Sequence, residues 1–442
     1  MTTNDTAARP LEETPYGAYL YSYPHKTSYR PLDPPVPLAS LWEKEKQDAL
    51  SLYLHVPFCE ARCGYCNLFS TARPKAELVD GYVAAMERQA KVVRAALGGK
   101  AGFARFAIGG GTPTFLGFAQ LERLLDLAER TMGANLPAIP GSVEVSPATA
   151  DREKLSLLRR RGISRISIGV QSFLDGEVGA VYRPQKADEA KQAIERIREQ
   201  GFPTLNIDLI YGLPGQDEAS FRASLEETLR FAPEEIYLYP LYVRPLTSLG
   251  KSTRHWDDVR LELYRAGRDF LVAKGYRQIS MRMFRLASAA ETPAPVYRCQ
   301  EDGMIGLGTG ARSYTEGLHY ATPYAIGQEG VRQIIERYVS TPEVEFAAAR
   351  HGIWLDDEDR RRRYAILSLL ADGIDQDDYA RRFGTEVLED LPQLGELFEA
   401  GWGVREGRRI RLTAKGVERS DAIGPWMCSA RVKERMAGYE LR

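Results

Sequence analysis

From about Leu50 onward the chain alternates short β-rich runs with stretches of helical apolar spacing, and no other feature narrows the fold as much. The predicted strands are 51–55, 103–108, 142–145, 165–169, 204–210 and 235–239. Helical patterns at 76–97, 120–132, 187–200 and 218–231 follow four of them. Repeated βα units demand a parallel sheet with right-handed crossovers. The prediction is an α/β fold, a partial (β/α)6-type barrel, in which chemistry belongs at the C-terminal ends of the strands.

The pattern divides the chain into an N-terminal arm (1–50), a barrel core (51–290), a barrel-completing segment with a Gly-rich motif (291–351) and a small C-terminal helical or winged-helix-like domain (352–442). The arm is rich in Tyr and Pro, among them Tyr16, Tyr19, Tyr21, Tyr23 and Tyr29, which predicts packing against the barrel. In the last segment helices are expected at 358–371 and 387–400 and a short strand at 409–412. The basic run Arg360 to Arg363 reads as a solvated helix face, although winged helices often bind DNA. With 44% hydrophobic residues the 442-residue chain is too apolar for disorder, and a net charge of -1 lacks the basic excess of a nucleic-acid binder. No apolar run reaches a membrane-spanning length and the first ten residues are polar, so a cytoplasmic protein with no membrane partner is expected.

Of five cysteines, Cys59, Cys63 and Cys66 follow the first strand in the spacing Cys-x3-Cys-x2-Cys. A closed zinc site wants four ligands, and no second pair follows. A redox disulfide leaves the third thiol idle. Three thiolates in a short loop suit a 4Fe-4S cube with one iron left without a protein ligand. An open iron is useful only where a substrate or cofactor fills it.

With the aromatic Tyr65 before its last cysteine, this loop resembles the cluster loop of the radical S-adenosylmethionine (SAM) superfamily. The resemblance implies that Cys59, Cys63 and Cys66 hold a 4Fe-4S cluster whose fourth iron chelates SAM, and that reduction cleaves SAM to methionine and a 5'-deoxyadenosyl radical. Gly109, Gly110, Gly111 and Thr112 resemble the family's glycine motif, which meets the SAM amino group. Glu144 matches a SAM-contacting carboxylate. The segments around Gln171, Arg183 and Asp208 are similar to those of oxygen-independent coproporphyrinogen III oxidase and its relatives, where the matching residues touch SAM. Tyr53 takes the place of a tyrosine near the sulfonium, and Ile305 lies in a late Gly-rich segment that packs on adenine. Tyr242 lies at the end of strand six, where relatives place substrate- and SAM-facing residues.

The resemblance to the oxidase departs at Leu68, where that enzyme carries a fourth cysteine. The implied activity is reductive cleavage of one or two SAM molecules, with oxidative decarboxylation of a propionate-bearing tetrapyrrole or similar acidic substrate. An electron donor such as flavodoxin or ferredoxin is implied. Two other readings are a C-methyltransferase or cyclopropane-forming enzyme using two SAM, and a haem-binding chaperone with His55 as axial candidate. Arg244 and Arg282 are candidates for binding substrate carboxylates, since Arg pairs bidentately with them. Cys299 is a candidate hydrogen donor or ligand lining the cavity, and Tyr23 to Arg30 a candidate contribution of the arm.

Overall fold

A computed structural model describes residues 15–252, 258–289 and 299–440. The predicted boundary at 290/291 and the flanking Tyr297 and Arg298 lie outside the described residues. Among the described residues the backbone is organised by one thirteen-stranded sheet. Its strands are β1 (Arg30–Pro37), β2 (Leu50–Val56), β3 (Phe103–Gly110), β4 (Gly141–Val145), β5 (Arg165–Gln171), β6 (Thr204–Tyr211), β7 (Glu235–Pro240), β8 (Tyr276–Gln278), β9 (Met283–Leu286), β10 (Met304–Leu307), β11 (Arg312–Tyr314), β12 (Leu318–Ala321) and β13 (Ala348–Trp354). Across the sheet they run β1-β13-β12-β11-β10-β2-β3-β4-β5-β6-β7-β9-β8. The stretch from β10 through β2 to β7 is parallel, as βα repeats require, and both flanks are antiparallel. The two edge strands do not pair with each other, so the barrel is partial.

Side-chain alternation sorts the chemistry. On β5 and β6, Ile166, Ile168, Val170, Leu205, Ile207 and Leu209 are fully buried in the core. The intervening Ser167, Gln171, Asn206 and Asp208 face the barrel interior with polar atoms, so the sheet has an oily outside and a polar inside. The helix Ala76–Ala96 buries Val79, Tyr82, Val83, Met86, Ala90 and Val93, a stripe at helical spacing that covers the outside. Glu218–Leu229 starts at Asp217, whose carboxylate accepts from Ser220 N while Ser220 Oγ reaches back to Asp217 N.

The arm is not a passive cover. β1 pairs antiparallel with β13 despite four prolines, and it can do so because it is an edge strand, where a missing N–H faces outward. Before it, Tyr16 meets Tyr211 edge-on and Tyr19 lies under Arg282, so the arm crosses the open end of the barrel. The C-terminal domain carries the helix Asp357–Ala371 and a small sheet, β14 (Ile374–Asp375), β15 (Gly403–Glu406) and β16 (Arg409–Leu412), around its own core.

Two expectations about this domain are corrected. The run Arg360 to Arg363 is not a solvated face: Arg363 is buried, donating to the carbonyls of Thr315 and Glu316, while Arg361 and Arg362 pair with Asp390 and Glu358. Helix 387–400 is interrupted before Pro392 into Val387–Asp390 and Leu394–Glu399, since proline removes an N–H and restricts the residue before it.

Candidate active site

The cluster loop leaves β2 through Phe58–Cys59, which pairs with Thr71–Ala72 and so closes the loop on itself. Within it Cys66 N donates to Cys63 O at 3.0 Å, and Gly64 is pinned on both sides, its N–H to Val181 O at 2.7 Å and its carbonyl to Leu249 N at 2.8 Å. The three thiols form no disulfide and are half-buried. Each sulfur has a polar neighbour: Thr112 Oγ1 at 3.7 Å from Cys59, Arg183 Nη1 at 3.3 Å from Cys63 and Ser70 Oγ at 3.6 Å from Cys66. Burial and the adjacent thiols push the Cys59 pKa up to about 12, so a thiolate there calls for a cation to balance it. Tyr65 packs on the apolar cluster of Val181, Ile210, Leu213, Leu241 and Leu249, anchoring the loop to the ends of β6 and β7.

The glycine turn after β3 lies directly against this loop. Gly111 N donates to Val56 O and Thr112 N to Phe58 O, each at 2.8 Å. A Cβ on Gly111 would come to 2.8 Å from Cys59 Sγ and 2.7 Å from Phe58 O, so only glycine allows the approach. Gly110 has φ 121 and directs its N–H to Glu144 Oε2 at 3.0 Å. Glu144, at the end of β4, stays accessible to the barrel interior, yet the enclosing strands strip water from it and raise its pKa to about 7.

The next strands add three more groups. Gln171 ends β5 with φ 72, a left-handed conformation rarely taken by a side chain other than glycine, beside a register shift against β6. Arg183 bridges the cluster loop and β5, donating to Cys63 Sγ, to Gln185 Oε1 at 2.8 Å and to Gly169 O. Asp208 is held by Asn206 Nδ2 at 2.7 Å and Ser167 Oγ at 3.3 Å, and burial raises its pKa against those bonds. The negative charge of Asp208 adds to the upward shift of Glu144.

Tyr53 and His55 share the inner face of β2, with Tyr53 Oη 3.1 Å from His55 Nδ1. His55 Nε2 lies 3.0 Å from Phe69 O, a pure acceptor, so Nε2 carries the proton and Nδ1 accepts from the tyrosine. Burial lowers the His55 pKa to about 4, keeping the ring neutral. Both ring nitrogens are engaged, so an axial haem bond at His55 would have to displace the Tyr53 hydroxyl or the Phe69 carbonyl. Cys299 is buried with Met304 and Tyr314 against Tyr53, on the inner side. Ile305 pairs with Leu52 and is fully buried in the core outside the barrel, so its side chain does not face the interior with Tyr53.

Past β7 the expectations for arginine change. Arg282 donates to both oxygens of Asp421 in the C-terminal domain and to Tyr242 Oη at 3.1 Å, and Tyr242 Oη itself donates to Asp421. The carboxylate that Arg282 binds is therefore the chain's own. Arg244 donates to Gly17 O at 2.8 Å and caps Tyr242. Sequence reasoning missed Arg312, which meets the arm at Tyr21 and Ser22 from nearly three hundred residues away. Nothing local in the sequence signals that pairing.

These groups fit an iron-sulfur cluster with SAM. Three thiols on one loop face a glycine turn whose Cβ space is filled, and two carboxylates on the inner face, Glu144 on β4 and Asp208 on β6, remain as acceptors for an ammonium and for hydroxyls.

Comparison with known proteins agrees. A radical SAM superfamily model matches residues 53–228, and a HemN C-terminal domain model matches residues 355–418. The chain is 30% identical over 390 residues to the oxygen-independent coproporphyrinogen III oxidase of Pseudomonas aeruginosa, covering 84% of this chain and 82% of that protein. It is 32% identical over 273 residues to the heme chaperone HemW of Bacillus subtilis, covering 60% of this chain and 71% of that one. The solved structure of coproporphyrinogen III oxidase (HemN) from Escherichia coli superposes with TM-score 0.78 at 24% identity, over 96% of this chain and 98% of that one, which shows the shared fold.

Proposed function

Because the chain belongs to the radical SAM superfamily and, within it, to the oxygen-independent coproporphyrinogen III oxidase family, we propose that it reductively cleaves SAM and oxidatively decarboxylates a propionate-bearing tetrapyrrole or a similar acidic substrate. The observation that supports this most is the facing of the Cys59, Cys63 and Cys66 loop onto the Gly110–Glu144 contact. A 4Fe-4S cluster held by Cys59, Cys63 and Cys66 would supply one-electron reduction of SAM, and with it a 5'-deoxyadenosyl radical able to abstract hydrogen.

In this reading the chain's own groups bind and orient. Glu144 accepts from the SAM amino group with the oxygen that Gly110 leaves open, and Asp208 accepts from ribose hydroxyls while Asn206 and Ser167 fix its rotamer. Arg183 faces Cys63 and carries the charge for a carboxylate. Gln171, Tyr65 and Tyr242 are assigned to the wall, and Tyr53, which packs with Cys299, is assigned with it to the meeting of substrate and adenosyl group. Tyr16, Tyr19 and Tyr21 of the arm exclude water from the open end. An external donor such as a flavodoxin or ferredoxin supplies the electron.

The likeness to the heme chaperone HemW supports a second reading, in which the chain carries haem with little turnover. Its test and that of the first are one experiment. Anaerobically reconstituted protein is mixed with SAM, a strong reductant and coproporphyrinogen III. Loss of carbon dioxide with 5'-deoxyadenosine supports the oxidase; S-adenosylhomocysteine as a further product marks a methyl-transferring enzyme; tight haem binding without SAM cleavage supports the chaperone.

A further inference from the structure

Where the arm crosses the barrel, Arg312 lies with its guanidinium over the Tyr21 ring, 4.8 Å from the centroid. Its Nη2 donates to Tyr21 Oη at 2.7 Å and its Nη1 to Ser22 Oγ at 2.8 Å. Lys26, five residues beyond Tyr21, sits 3.8 Å above the Tyr324 ring. Neither cation forms an ion pair with a carboxylate among the described residues, unlike Arg282, which pairs with Asp421, and Arg260, which pairs with Asp258. The consequence is a local excess of positive charge. Tyr19, Tyr23 and Tyr53 are pushed to higher pKa by burial, whereas in Tyr21 the same push is overcome by Arg312 and Lys26 and the phenol goes down. His25 is held neutral, its pKa lowered to about 3 by burial and then by Lys26, Arg312 and Arg244. Arg312 also lies 5.9 Å from the centroid of the Tyr314 ring, and Tyr314 packs with Cys299 against Tyr53, so the guanidinium stands one side chain away from the inner face of β2.

A half-enclosed guanidinium whose bonds run only to hydroxyls keeps part of its planar fork for an anion, and a neighbouring ammonium supplies the second charge. We propose that Arg312 and Lys26, brought together by the arm, form the carboxylate-binding subsite that selects an acidic substrate and holds it beside Tyr53. This rests on the proposed function for the class of substrate, and it assigns the selection to a strand outside the parallel barrel and to the arm. It replaces Arg282, whose fork is taken by Asp421.

The test is binding of coproporphyrin III, a stable tetracarboxylate, and of its tetramethyl ester to the cluster-loaded full chain, followed by absorbance and fluorescence. Wild type is expected to bind the acid and to bind the ester at least tenfold more weakly, roughly what loss of one charged hydrogen bond costs. Arg312→Gln and Lys26→Gln should each weaken the acid by about tenfold and the ester hardly at all, with Arg312→Lys recovering part of the loss. Unchanged iron content and circular dichroism in the variants confirm that they fold. The subsite is refuted if both variants bind the acid as wild type does, if wild type does not distinguish acid from ester, or if wild type binds neither. SAM cleavage by wild type is scored separately: its presence alongside any of those results sinks the subsite and leaves the radical enzyme standing, while its absence sinks the functional reading.

Discussion

Glu144 Oε2 accepts the Gly110 N–H at 3.0 Å, tying the end of β4 to the glycine turn that packs on the cluster loop. The bond uses one lone pair of a carboxylate that the barrel has raised to about 7, so its ionisation falls in the working pH range. A raised carboxyl holds its proton more tightly in the fold than in the unfolded chain. Its effect is therefore a loss of stability as pH climbs from the ordinary value of 4.5 to about 7. Glu144→Gln should flatten that part of the pH–stability curve and raise the melting temperature of the ligand-free protein at pH 8. Calorimetric or equilibrium SAM titration should show the opposite cost: affinity that rises with pH through about 7 in wild type, and a pH-flat affinity about tenfold weaker in the variant.

Asp208 touches Asn206 and Ser167 but no cysteine. Asp208→Asn is expected to weaken SAM binding about tenfold while iron and acid-labile sulfide stay at wild-type levels. Loss of iron in that variant would place Asp208 in support of the cluster loop instead.

Glycine at position 111 is required by contact. Gly111→Ala puts a methyl 2.8 Å from Cys59 Sγ, and the expected result is a large fall in reconstituted iron. Gly176→Ala serves as the control, because its Cβ meets nothing within 4 Å in the helix Asp175–Ala180 and should leave iron content unchanged, with a stability gain of up to about 1 kcal/mol.

Arg282 and Asp421, 4% and 1% exposed at their side chains, are a buried ion pair between the barrel and the C-terminal domain. Removing one partner strands the other, so Arg282→Met should cost about 3–5 kcal/mol. The double variant with Asp421→Leu should cost less than the sum of the two singles. Denaturant melts of the four proteins measure this, and additive losses would mean the pair is not coupled.

Much of the barrel was legible in the chain because its signals are local. Ser51, Phe103, Ser142, Arg165, Thr204 and Glu235 each fall at or within one residue of the observed strand starts, since fully buried parallel strands read as apolar runs bounded by turn residues. Cys59, Cys63 and Cys66 stood out by their spacing, whereas Gly110, Glu144, Gln171 and Asp208 came from the resemblance to a known family and not from any periodicity. What escaped depends on distance along the chain. Prolines at 31, 34, 35 and 37 hide β1 from any strand pattern, and only its edge position makes the strand possible. The pairings of Tyr21 with Arg312 and of Arg282 with Asp421 join residues far apart in sequence, and no periodicity encodes them. The short strands β8, β9 and β11 have three or four residues, too few for alternation to register.

The most direct measurement is the yield of 5'-deoxyadenosine from SAM when the anaerobically reconstituted protein is given a strong reductant, with Cys63→Ala alongside. The account predicts deoxyadenosine and methionine from wild type and none above background from the variant, which should also lose the cluster absorbance. A fully loaded wild-type cluster that binds SAM and releases no deoxyadenosine would contradict it.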